Sequence, residues 1–129
     1  DINQLIVREK NRQKLLQRAC DILNQTRNYK LVWIGLVEAE SKEVLPVAQA
    51  GFEGGYLQSV KITWDDSETG EGPTGTAIKT KEPVIMRDIP NDPRYKPWRE
   101  EAIKRGYASS AAIPLIYEER VYGAINVYE

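Results

Sequence analysis

Residues Gly70 to Gly75 read GEGPTG, the G-x-G-x-x-G spacing that cradles a dinucleotide pyrophosphate when it joins a strand to a helix. Asp88 follows at about the interval of a ribose-binding carboxylate. The context does not fit that chemistry. DDSET separates Trp64 from Gly70, and only TAIKTKE lies between Gly75 and Pro83, whereas a parallel crossover takes a dozen or more residues. A kinase glycine loop requires a catalytic loop containing His, and the chain has none; a Walker A loop requires Gly-Lys-Ser/Thr, which is absent. Gly72, Pro73, Thr74 and Gly75 instead fit a tight turn feeding a two-turn helix, with Pro73 near the first helical position and Gly75 allowing close approach to a sheet.

The remaining chemistry-bearing residues narrow the function further. Without His, the chain lacks a proximal haem ligand, the usual zinc sites and any Ser-His or Cys-His nucleophile, so no metal is expected. Cys20 is the single cysteine, which excludes an internal disulfide or CxxC site and fits a reducing, cytoplasmic compartment. In the amphipathic helix it reads as a small buried apolar residue. Asp65 and Asp66 are neighbours that would point to opposite faces of a strand, so they form no carboxylate pair and read as surface or turn residues. Trp64, Thr74, Asp88, Arg94, Tyr95 and Trp98 concentrate in one segment, and aromatic faces with a few polar anchors are what line small-molecule pockets. Trp64 and Trp98 suit stacking on a flat ligand or core packing; Arg94 or Arg99 suits an anionic group. Asp88 suits either a ligand contact or the cap of the turn beginning DIPNDP.

The elements that must position these residues follow from periodicity. At 129 residues, the chain is the length of one domain. Eighteen basic against nineteen acidic residues leave a formal charge of -1, with no field favouring nucleic acid or an anionic membrane, and no apolar run long enough for a membrane-inserted span. Leu5 to about Asn24 is free of Gly and Pro, with apolar residues at helical spacing from Leu15 to Leu23; its middle, REKNRQK, is wholly polar. KLVWIGLVE and EVLPVAQAG form a hairpin whose first strand is apolar enough to be covered on both faces and whose second, carrying Pro46, belongs at an edge or a bulge. Ser59–Trp64 reads as a third strand, Pro83–Met86 as a short fourth, and Trp98–Tyr107 as a helix. SSAAIPLIY and RVYGAINVYE make a second hairpin. Hairpins at both ends with helices between them describe an α+β domain with an antiparallel sheet. In the penultimate strand Ser110 and Ala112 share one face, where small side chains leave space above the sheet.

The run GEGPTGTAIKTKEPVIMRDIPNDPRY, then PWREEAIKRGYASSAAIPLIYEERVYGAINVY, resembles a GAF domain of the kind found in bacterial and archaeal sensor histidine kinases and diguanylate cyclases. The marks are Gly72, Gly75 and Ala77, the Asp88-Ile89 pair, the strand from Ser109 to Pro114-Leu115, and the strand holding Gly123. The resemblance implies a GAF-like, PAS-related antiparallel sheet of five or six strands, with terminal helices on one face and short helices and loops enclosing a pocket on the other. It places residues 1–27 in an N-terminal signalling helix and 28–129 in the sheet and pocket roof of a single domain excised from a longer multidomain protein. It makes Ser110 and Ala112 pocket floor. It implies a regulatory module, not itself an enzyme, that senses a small molecule, pairs as a homodimer through a helix carrying Leu5, Leu15, Leu16 and Leu23, and relays the ligand state to an output domain in the same chain. The alternative is a dimerisation and relay module with no ligand of its own. The specialised branches fit poorly: where a bilin-attaching Cys-His would fall the chain has Pro97 and Trp98, no histidine serves haem, a lone cysteine does not match the reductase branch, and the cyclic-nucleotide signature is absent in its usual form.

Overall fold

A computed structural model describes all residues from Asp1 to Glu129. Asp1 opens helix α1 (Ile2–Arg27) with a capping box: its carboxylate accepts the Gln4 N–H at 2.9 Å while its amine donates to Gln4 Oε1 at 3.3 Å. This cap carries the helix a turn further back than its apolar spacing indicates. At about 1.5 Å per residue the helix is roughly 39 Å long. Asn28, in the left-handed conformation at φ 57°, ends it.

The two halves of α1 have different surroundings. From Leu16 onward, Leu16, Ala19, Cys20 and Leu23 pack on the sheet against Val32, Ile34 and Ala48. Every residue from Asp1 to Leu15 is exposed. The polar contacts that tie the helix down begin at Gln13, which donates to the Val47 carbonyl, and Gln17, which donates to Gln49 O at 2.7 Å.

Five strands follow: β1 (Leu31–Val37), β2 (Val44–Gly51), β3 (Val84–Met86), β4 (Ser110–Tyr117) and β5 (Arg120–Tyr128). They form one antiparallel sheet in the order β2-β1-β5-β4-β3. Both terminal hairpins are present, and β5 joins them by pairing with β1 and with β4. Strand β1 is buried from Leu31 to Gly35 because both faces are covered: Val32 and Ile34 point to α1, Leu31 and Trp33 to the opposite layer. Pro46 lies on the outer strand at a shift of register opposite Ile34/Gly35, so its missing N–H costs no ladder bond inside the sheet.

The second face is covered by a roof made of α2 (Tyr56–Ser59), α3 (Pro73–Thr80), a 3-10 turn (Pro93–Trp98) and α4 (Arg99–Lys104). Two expectations are adjusted here. The segment Ser59–Trp64 is no strand: it meets the β2 end of the sheet through one bridge, Glu43 to Thr63, flanked by the bonds Val44 N to Ile62 O and Trp64 N to Lys42 O. Ile62 is buried in the roof-side core and Thr63 in the loop it shares with Asp65 and Thr69, and that burial, not a ladder, uses the β-branched residues. The helix expected over Trp98–Tyr107 is present but shorter, as α4 from Arg99 to Lys104, because Trp98 closes the preceding 3-10 turn.

The glycines of GEGPTG serve packing. A Cβ on Gly70 would lie 2.0 Å from Asp65 O, one on Gly72 2.2 Å from the Trp98 ring, and one on Gly75 2.3 Å from Gly70 O and 2.5 Å from Thr63 O. Pro73 takes the first turn of α3. The loop below is tied by Asp65, which accepts from Thr63 Oγ1 at 2.8 Å and from Ser67 N at 3.0 Å. The Ser67 hydroxyl, above all, which also donates to this carboxylate, and then the Thr63 hydroxyl hold the Asp65 carboxyl below its ordinary range. Gly75→Ala is expected to destabilise the domain by about 1–3 kcal/mol through overpacking against backbone that cannot yield; chemical denaturation of the two proteins measures this.

Candidate functional site

The space between roof and sheet is filled by side chains that are large and capable of hydrogen bonding. Alternation on β5 sends Ala124, Asn126 and Tyr128 to the roof side, and on β4 sends Ser110 and Ala112 there, next to Met86 of β3. Tyr128 is enclosed by Tyr107, ring centroids 5.0 Å apart, and by Tyr56 at 5.9 Å; Tyr56 meets Tyr107 edge-on at 5.1 Å. Trp33 donates its indole N–H to the Tyr128 hydroxyl at 3.0 Å, and the hydroxyls of Tyr56 and Tyr95 share a bond of 2.7 Å. Tyr107 donates to the Phe52 carbonyl. Burial, above all, raises Tyr56, Tyr95, Tyr107 and Tyr128 above the ordinary phenol range, so these hydroxyls remain neutral donors.

A second polar contact joins α3 to the central strand. Thr74 Oγ1 donates to Asn126 Oδ1 at 2.7 Å, and Asn126 Nδ2 approaches Trp33 O and Ala124 O, each at 3.4 Å. Ser110 belongs to the same face, beside Met86 and Tyr128, yet its buried Oγ has no hydrogen-bond partner.

Of the residues singled out from sequence, the structure brings Thr74, Tyr95, Trp98, Ser110 and Ala112 into this interior, all buried. Trp98 packs against Tyr95, centroids 5.2 Å apart, and donates Nε1 to Lys61 O at 2.7 Å, which fastens the 3-10 turn to the loop before Ile62. The other three lie elsewhere. Trp64 is half-buried at the far end of the roof, with Lys42 Nζ 3.9 Å above its ring. Asp88 is exposed and takes the turn-capping role: Asn91 Nδ2 donates to it at 2.9 Å and Asp92 N bonds its carbonyl. Arg94 is half-exposed and occupied by Asp92 at 2.7 Å. The Arg94 hydrogen bonds lower the Asp92 carboxyl below its usual range. Arg99 donates Nη2 to Asp92 O at 2.9 Å, while its buried Nε is unpaired.

Sequence reasoning passed over Tyr56, Tyr107, Asn126 and Tyr128 as site residues and read Trp33 as core. For Asn126 and Tyr128 a signal was present: the two share a strand face with Ala124, and an Asn inside an apolar strand needs a buried partner. For Tyr56 and Tyr107 there was none, since each reaches the interior from a connecting segment.

The sequence matches the profile of the GAF domain over residues 9–129. No curated protein sequence matches the chain. Among solved structures, the fold is similar to the GAF domain of a phosphoenolpyruvate-protein phosphotransferase from Coxiella burnetii, with a TM-score of 0.74 at 20% identity over 98% of this chain and 74% of that one. It is also similar to the free methionine-R-sulfoxide reductase of Neisseria meningitidis, solved with its substrate: TM-score 0.72, 20% identity, 91% of this chain and 62% of that one. The chain thus spans less than two thirds of the reductase. A third structure, NreA of Staphylococcus aureus mutated in its nitrate binding site, gives a TM-score of 0.71 at 18% identity over 90% of this chain and 85% of that one.

Two substitutions separate paired from unpaired polar groups in the interior. Thr74→Val keeps the volume but leaves Asn126 Oδ1 without its donor, and is expected to cost about 1–3 kcal/mol. Ser110→Ala removes a hydroxyl that bonds nothing, so stability should be unchanged or rise by up to about 1 kcal/mol. Denaturant unfolding of both variants checks the contrast.

Proposed function

The chain belongs to the GAF domain family, and we propose that it is a regulatory, small-molecule-sensing module of a cytoplasmic signal-transduction protein that relays ligand state through its terminal helix to a kinase- or cyclase-type output domain. The carrying observation is the buried polar cluster between roof and sheet, which ends in the unpaired Ser110 Oγ. Packing alone does not call for this many hydroxyl, amide and indole groups in a core, and an unpaired buried hydroxyl costs free energy until it finds a partner. A small polar molecule held beside Ser110, Tyr128 and Tyr95 supplies one. With the interior filled by aromatic rings, entry requires the Pro93–Lys104 part of the roof to lift, so ligand binding selects the lifted arrangement.

Transmission uses β1 and β5, whose alternate residues touch both layers. Trp33 faces the tyrosines while Val32 and Ile34 touch Cys20 and the buried half of α1. The exposed half of α1 carries Ile2, Leu5, Ile6, Val7 and Leu15, the last 70% exposed. An isolated helix of this length is marginal in water, so pairing with a second copy through Leu5 and Leu15 supports it. Leu16 and Leu23 seat the helix on its own sheet.

Enzymatic activity is not part of this reading. Cys20, on the sheet-facing side of α1, is buried on the face opposite the tyrosines, and burial pushes its thiol up to about 11, which leaves little thiolate at neutral pH. The second reading, a ligand-free dimerisation and relay module, is favoured by the tight aromatic filling of the interior.

Native mass spectrometry of the freshly purified chain, with fragmentation of released species and a thermal-shift screen, separates the two. Sensing predicts a non-covalent mass or a ligand-induced rise in Tm that Ser110→Ala reduces although it is itself stable. Relay predicts no ligand effect in either protein, and a dimer that Leu15→Lys converts to a folded monomer.

A further inference from the structure

At the end of β5 remote from Tyr128 lies a groove of about 520 Å3, lined by Val37, Trp64, Ile78 and Val121 and rimmed by Lys79, Lys81, Glu119 and Arg120. Val121 and Tyr128 are seven positions apart, about 23 Å along a strand, so this groove opens at the opposite end of the roof-side core from the tyrosine cluster. Its composition is divided. The floor is apolar, made by the end of β1, the start of β5 and the inner side of α3. The rim has three cations against one carboxylate. Two of the cations are held in place by bonds that leave donors free: Lys79 Nζ donates to Asp65 O at 2.7 Å, with the Asp66 carboxylate 3.9 Å away, and Lys81 Nζ donates to Glu119 O at 3.1 Å. Arg120 lies over the Tyr122 ring at 5.0 Å. Lys42 covers one side of the Trp64 indole. Trp64 Nε1 is buried with no hydrogen-bond partner, in contrast to the paired indoles of Trp33 and Trp98.

We propose that this groove is a second binding site, for a small aromatic carboxylate. The aromatic body lies on Val37, Val121 and Trp64, where apolar contact replaces water. The carboxylate is held by the ammonium groups of Lys79 and Lys81 with Arg120 beside them, charge-assisted bonds that a neutral analogue cannot form.

Naphthoate and its neutral counterpart naphthylmethanol test this by proton–nitrogen NMR of the whole chain. Naphthoate is expected to shift the Trp64 indole N–H and the backbone amides of Lys79, Lys81, Arg120 and Val121 in a saturable way, with naphthylmethanol at least about tenfold weaker, a difference of about 1.4 kcal/mol. The double variant Lys79→Gln, Lys81→Gln should lose a similar factor for naphthoate and little for the alcohol. If that variant does not fold, the acid–alcohol comparison on the native chain decides alone. Equal shifts from acid and alcohol, no saturable shift at the groove, or shifts confined to Ser110 and Tyr128 overturn the proposal; the last of these is what a ligand of the roof interior produces.

Discussion

Tyr128 is the position on which the arrangement depends. It is the last residue of β5, on the roof side of the sheet, and almost wholly enclosed. A phenol buried there must find both apolar neighbours and a partner for its hydroxyl. Tyr107 and Tyr56 supply the first, Trp33 the second. Those three come from three separate stretches: Trp33 from β1, Tyr56 from α2, and Tyr107 from the segment between α4 and β4. Enclosing one side chain therefore fixes the end of the sheet, the small helix after β2 and the return from α4 in a single arrangement. The Tyr56–Tyr95 bond brings the 3-10 turn into the same cluster.

The two faces of the sheet serve different ends. On the α1 side a small apolar cluster around Cys20, Val32 and Ile34 seats half of one helix. On the roof side the core is larger and contains hydroxyls, an indole and an amide among its buried groups. Strand β1 belongs to both, since adjacent residues point oppositely and a pleat has no slack between them. A shift of Trp33 is therefore a shift of Val32. Packing alone thus links the interior to the seated half of α1.

Much of this was legible in the chain. The unbroken apolarity of Leu31–Val37 placed β1 between two layers, Pro46 limited β2 to an edge or a bulge and both are found, and Pro73 marked the start of α3, each because a single local rule acts without competition. The Gly70–Gly75 loop was readable by exclusion: the spacing matched a phosphate cradle, but the elements on either side were too short. Ser59–Trp64 misled because β-branched residues suit any extended, half-buried segment, whether or not a ladder forms. The tyrosine cluster was the least legible part. Tyr56, Tyr95, Tyr107 and Tyr128 are far apart in sequence, and only the closing of β5 between β1 and β4 makes them neighbours.

The central claim is that these four enclosed tyrosines hold roof and sheet together. An alkaline titration followed by phenolate absorbance, with circular dichroism on the same sample, tests it most directly. Burial raises all four above the phenol range, so their stabilisation is fully present below the unfolded-state value of about 10 and is lost as pH rises beyond it. The account predicts that phenolate from Tyr56, Tyr95, Tyr107 and Tyr128 forms only in one cooperative step together with loss of the sheet signal. Ionisation of these four near pH 10 with the sheet signal intact would contradict it.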